Sequence, residues 1–154
     1  MSHDYWAPPH SHDPNPSPPG DDPSLTLYVA SQAVRLTPAD LAILPQLIVP
    51  DCYIVSTGHG TSGPFTFAGV RIVDLISCYT KYNWEYVDVL SGDGFGTRLT
   101  CADLSNMGDR PAILALEVDR HLLTRDEGLV RLIVPQEKGD ALQQVKWVSE
   151  IRVY

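Results

Sequence analysis

Three stretches of the chain gather residues whose types could hold a small molecule. The first is Ser56-Thr57-Gly58-His59-Gly60, with hydroxyls, an imidazole and permissive backbone. The second runs from Ser91 to Thr97 and sets Asp93 beside Phe95 and Thr97. The third runs from Gln136 to Lys146, carries Lys138, and ends at Lys146-Trp147. A carboxylate such as Asp93 can accept two parallel N–H bonds from an amidine-like edge, as a pterin or a guanine presents. Cations, backbone N–H groups and an aromatic edge around it suit a small anionic or heteroaromatic ligand. Loops are polar whether or not they bind anything, so solvated turns remain the plain alternative for each stretch. Two sharper chemistries are disfavoured by spacing. The glycine-x-serine-x-glycine elbow of a hydrolase is missing around Ser56 and Ser62. Gly92 to Gly96 lacks the Gly-Lys-Ser/Thr ending of a phosphate loop.

Strands must position these loops. Leu25, Leu27 and Val29 alternate with Thr26 and Tyr28, a strand period. Thr37-Pro38-Ala39-Asp40 is a helix start, with an N-cap, proline at the first helical position and a carboxylate in the first turn. Gln46 to Ser56 reads as a strand interrupted at Pro50, Gly58 to Pro64 as a glycine-dense loop, and Val70 to Tyr79 as a helix with one broad apolar face. Glu85 to Leu90 and Phe95 to Leu99 form a hairpin over Ser91 to Gly94. Thr100 caps a short helical turn, and Ala112 to Val118 and Arg120 to Leu123 read as strands. Val130, Leu132 and Val134 alternate with Arg131 and Ile133 before Pro135 stops the strand. Val145, Trp147, Ile151 and Val153 fall on one face of a last strand. Many strands with two or three short helices predict an α+β domain with a mixed, strand-rich core. Each loop follows a strand, so all three could converge at one end of the fold.

Residues 1 to 23 hold seven of the 13 prolines and three of the five histidines, and have almost nothing to bury. They read as a disordered or extended arm, and the folded domain as residues 24 to 154. His3, His10 and His12 with Asp4 and Asp13 could meet a metal, but ordering the arm would oppose binding. The net charge of −8 and the lack of any basic run disfavour a nucleic-acid partner. Cys52, Cys78 and Cys101 are odd in number and show no metal spacing. They suit a reducing compartment, and no signal peptide or membrane-length apolar stretch is visible, so the expected location is cytoplasmic without membrane insertion. A removed leader would make it periplasmic.

The segments LTPADLAILPQ, FTFAGVRIVDLI, SGDGFGTRLT and LVRLIVPQEKGDALQQVKWVSEIRV, in this order over residues 24 to 154, resemble the oxidoreductase molybdopterin-binding domain, the sulfite oxidase fold. Catalytic members carry a cysteine in a Cys-x-Gly-Asn stretch whose thiolate binds molybdenum. The matching residues here are Ser56-Thr57-Gly58-His59, and a serine hydroxyl is a poor ligand for that soft centre. The resemblance therefore implies a small member without the metal-ligand cysteine, similar to pterin-binding proteins. It implies a non-catalytic module that takes a pterin between Ser56, Thr57, Gly58, His59, Asp93, Phe95, Thr97, Lys138, Lys146 and Trp147, with a protein partner in signalling. Asp93 would read the amino edge, and Phe95 or Trp147 would pack near the ring. The alternatives are a molybdopterin-dependent oxidoreductase with an altered metal site, whose phosphate Lys138, Lys146 or Arg98 would meet, and a partner-binding domain with a vestigial pocket.

Overall fold

The computed structural model describes residues 18–56, 60–136 and 140–154, Ser56 for its backbone alone. Thr57, Gly58, His59 and Lys138 lie outside the described residues, as does the arm before Pro18.

Two sheets and three helices make up the described chain. In the first sheet, β1 (Leu25–Val29) pairs antiparallel with β2 (Gln32–Leu36) and parallel with β11 (Val148–Val153). Strand β11 pairs on its other side with β5 (Tyr86–Ser91), and β5 with β6 (Gly96–Thr100), giving the order β2-β1-β11-β5-β6. The second sheet runs β10 (Gln143–Val145), β9 (Arg131–Val134), β7 (Ile113–Val118), β4 (Gly60–Arg71), β3 (Gln46–Ser56), with β8 (His121–Leu122) paired to β7. A parallel bridge between Tyr53 of β3 and Ala141, just before β10, joins the two edges, so the second sheet curls closed.

The closed sheet presents apolar residues to both sides. Leu114, Leu132 and Val145 pack into a core shared with β1, β11 and β5. Ile113, Ala115, Ile133 and Phe67 point the other way, into a second core with Val49, Cys52 and Leu142. Gly69 lets β4 lie against β7, since a Cβ there would sit 1.9 Å from the Leu114 carbonyl oxygen. Pro50 is tolerated within β3 because the register with β4 shifts between Val49 and Cys52, which spares a ladder hydrogen bond at the proline.

The expected α+β class is corrected: the fold is mostly β. The helices α1 (Pro38–Ala42), α2 (Ile72–Ser77) and α3 (Cys101–Ser105) have five, six and five residues. The helix expected over Val70 to Tyr79 starts two residues later, because Val70 and Arg71 still pair with β7. Most of the expected loop over Gly58 to Pro64 is strand β4, and β2 was not anticipated. The helix start at Thr37 holds, with a full capping box to Asp40. The last strand breaks at Trp147, whose φ of 54° separates β10 from β11.

Candidate functional site

The corner at Lys146-Trp147 is fastened by one turn, residues 124–128. Four successive carbonyls of that turn each accept a bond from outside the turn. The Arg125 oxygen takes the Trp147 indole N–H, and the Asp126 oxygen takes Lys146 Nζ at 3.1 Å. The Glu127 oxygen takes Arg131 Nη1 at 3.2 Å, and the Gly128 oxygen takes the Trp147 amide at 2.9 Å. Gly128 has a φ of 113° and no Cβ, which leaves room for the Lys146 stem; a Cβ there would lie 3.0 Å from Lys146 Cγ. Trp147 is buried, and the Lys146 ammonium sits 5.1 Å from its ring centroid.

Arg131 was not among the residues expected at the site. It shares the inward face of β9 with Ile133 and is 5% exposed. Its Nε donates to Gln144 Oε1 at 2.8 Å, its Nη2 donates to the same oxygen, and its guanidinium carbon lies 5.2 Å from the Phe67 ring centroid. Burial pulls its pKa down to about 10. Gln144 is wholly buried on β10, and its Nε2 has no hydrogen-bond partner among the described residues. The Lys146 pKa is lowered by burial first and by the nearby Arg131 charge second. Two cations thus feel one another inside a chain of net charge −8. A sequence signal did exist: an arginine at a strand position whose same-face neighbour is isoleucine.

The second loop reaches the same corner. Gly92, Trp147 and Ser149 line a cavity of about 250 Å³ with Pro19, Gly20, Asp21 and Asp22. Residues 18–23 therefore lie against the domain: Arg125 Nε donates to the Gly20 carbonyl at 3.1 Å, and Asp22 pairs with Arg35 at 3.1 Å. Asp93 is exposed and its Oδ1 accepts the Phe95 amide at 3.0 Å, tightening its own turn. Phe95 is half-buried against the first core, and Thr97 is buried on β6. Arg98 is committed elsewhere, bound to Asp88 at 2.7 and 2.9 Å and lying over Tyr86. Of the first loop only the base is described: Ser56 pairs with Gly60, and three residues earlier the Tyr53 carbonyl accepts the Leu142 amide at 3.1 Å. The third loop thus touches β3 near the first loop at one end and the Gly92 turn at the other.

Comparison with known proteins fits this frame. The family model described as oxidoreductase molybdopterin binding domain matches residues 31–154. The chain belongs to that family. No curated protein matches it. Among solved structures it is similar to the sulfane dehydrogenase SoxCD from Paracoccus pantotrophus, with a TM-score of 0.65 and 18% identity over 85% of this chain. That likeness shows a sulfite-oxidase-type fold, and the chain spans 38% of the SoxCD chain.

Arg131, Lys146 and the Gln144 amide carry donor chemistry that suits an anionic, oxygen-rich group, and none of the three lines the cavity at Trp147. Cys52 is held as a buried, neutral thiol. Cys52 is 1% exposed within the second core, its thiol donates to the Val49 carbonyl at 3.6 Å, and burial pushes its pKa up to about 11. Cys78 caps α2 and Cys101 opens α3, and neither lines the cavity at Trp147.

Proposed function

We propose that this family member binds a pterin bearing an anionic group, and that it works as a binding module without thiolate-ligated metal. The observation that carries the reading is the buried Gln144 amide beside Arg131, its Nε2 without a hydrogen-bond partner among the described residues, with the Arg131 charge close enough to act on Lys146. Burial lowers the pKa of both cations, and both already feel the Glu127 charge, so a phosphate-bearing ligand would add to the support of their charged forms in a way that a neutral pterin does not. The Trp147 edge and Phe95 supply aromatic surface, and Asp93 supplies a carboxylate for the amino edge. Ser56, Thr57, Gly58, His59 and Lys138 complete the set on the sequence reading. The second reading, a molybdopterin-dependent oxidoreductase with a different metal site, is favoured by family membership.

Fluorescence quenching with hydroxymethylpterin and with its phosphate monoester separates these ideas. The phosphate form should bind more tightly, and Lys146→Met should remove most of that advantage. Equal affinity for both pterins in wild type would sink the anionic part of the proposal, and no binding of either would sink the whole. Elemental analysis decides between module and oxidoreductase: near-stoichiometric molybdenum in protein from cells that make the cofactor would favour the enzyme.

A further inference from the structure

The turn that holds Arg131, Lys146 and Trp147 carries one side-chain carboxylate bound back onto it, besides its own backbone hydrogen bonds. Both oxygens of Glu127 lie 3.0 Å from His121 Nε2 on β8, and Oε1 also accepts the Thr124 amide at 3.0 Å. The Thr124 hydroxyl returns a bond by accepting the Glu127 amide at 3.3 Å, and the Thr124 carbonyl takes the Gly128 and Leu129 amides. Leu129 then leaves the turn with a φ of 57°, a conformation that needs such bracing. The Trp147 indole, Lys146 Nζ, Arg131 Nη1 and the Trp147 amide therefore dock on a turn that the Glu127 side chain braces.

We propose that Glu127 is a positioning residue: its carboxylate fixes the 124–128 turn so that successive carbonyls orient Trp147, Lys146 and Arg131 toward the ligand. The word ligand here rests on the pterin reading; the role in orienting the three side chains does not. Glu127 touches no ligand in this scheme. It acts through four carbonyl oxygens, and His121 acts through it. Neither residue lies in the three loops that the sequence singled out. Their spacing, six residues apart across a two-residue strand and a turn, carries no motif.

The test reads the turn and the ligand separately. Hydrogen exchange of the Trp147 indole N–H, followed by NMR, reports the bond to the Arg125 carbonyl, with the Trp84 indole as an internal control. Glu127→Gln should speed the Trp147 exchange by roughly tenfold, the scale of one lost charge-assisted hydrogen bond, and leave Trp84 unchanged. Glu127→Asp, which keeps the charge, should restore part of the protection. His121→Ala, at an exposed residue, should act in the same direction more weakly, and carries the test if Glu127→Gln does not fold. Unchanged Trp147 exchange in these variants overturns the proposal. Affinity for hydroxymethylpterin phosphate should fall about tenfold in Glu127→Gln, in step with the exchange. Faster exchange with unaltered affinity also overturns it, because the turn would not govern binding. Failure of wild type to bind either pterin overturns the pterin reading instead, and the exchange data still decide the role of Glu127 in orienting the side chains.

Discussion

Arg131 and Gln144 form a buried polar pair whose removal should be sharply asymmetric. Arg131→Met leaves the Gln144 amide with nothing to bond on either side, at a cost of about 1–3 kcal/mol for each unsatisfied buried group. Replacing both, as Arg131→Met with Gln144→Leu, should return most of that stability, because two apolar side chains need no partners. Urea unfolding of the single and double variants checks the pattern, and ligand affinity should stay lost in both. Asp93 gives a second residue-scale outcome. Asp93→Asn keeps an oxygen to accept the Phe95 amide, so the fold should hold. A recognition role for the carboxylate would still show as a tenfold to hundredfold loss in pterin affinity, from a charge-assisted bond of about 1.5–3 kcal/mol. Unchanged affinity would put the recognition edge elsewhere. Cys52 offers a third check. Native protein near neutral pH should be alkylated at Cys78, which is exposed, and at Cys101, with Cys52 protected until the chain unfolds. Residue chemistry was partly legible from sequence: Lys146 and Trp147 were singled out as candidate site residues, though on a continuous strand that in fact breaks at Trp147. Arg131 was not, because the face it shares with Ile133 reads as the solvent side of a half-buried strand, whereas β9 is buried on both faces.

At the scale of elements, the turn 124–128 should respond to acid in a predictable sense. The Thr124 amide first, and His121 after it, hold the Glu127 carboxyl below its ordinary value of 4.5. A carboxyl depressed in the folded state stabilises above its unfolded pKa, and the contribution disappears as pH falls through the folded value. The charges around it are Asp126, Arg125, Lys146, Arg131 and His121. The part of the Trp147 indole protection that Glu127 supplies should therefore persist down to the ordinary carboxylate range and be lost below it, a step that Glu127→Gln lacks. The same step surviving in Glu127→Gln would assign the control to another group. Elements with local chemical punctuation were readable from the chain: the Thr37 capping box, the β5–β6 hairpin and the Thr100 cap all stand where their residues put them. Elements decided by distant pairing were not. Strand β4 runs through Gly60, Gly63 and Pro64 because β3 lies beside it as a partner, and Val70 is strand because β7 pairs with it. The β7 partner lies more than forty residues away, and the glycines and proline of β4 masked the nearer pairing with β3.

Across the whole molecule, residues 18–23 link the chain's start to the Trp147 corner through Arg125 and the Gly92 turn. Removing residues 1–23 takes away exposed contacts, so melting temperature should fall little. The cavity wall goes with them, so acrylamide quenching of Trp147, measured in a Trp6→Phe, Trp84→Phe background, should rise. Unchanged quenching would show that the segment does not screen the corner.

The order β2-β1-β11-β5-β6 sets the last strand made between the first pair and a hairpin from mid-chain. On the ribosome, β1–β2 and β5–β6 can each close early, since their partners are near in sequence. Neither can join the other until residues 148–153 leave the exit tunnel. Until then the edges of β1 and β5 stand open, each a template for an unwanted strand. The first sheet of this protein is therefore assembled after translation of β11, and a nascent chain stalled before Val148 should be held by chaperones or be lost to aggregation.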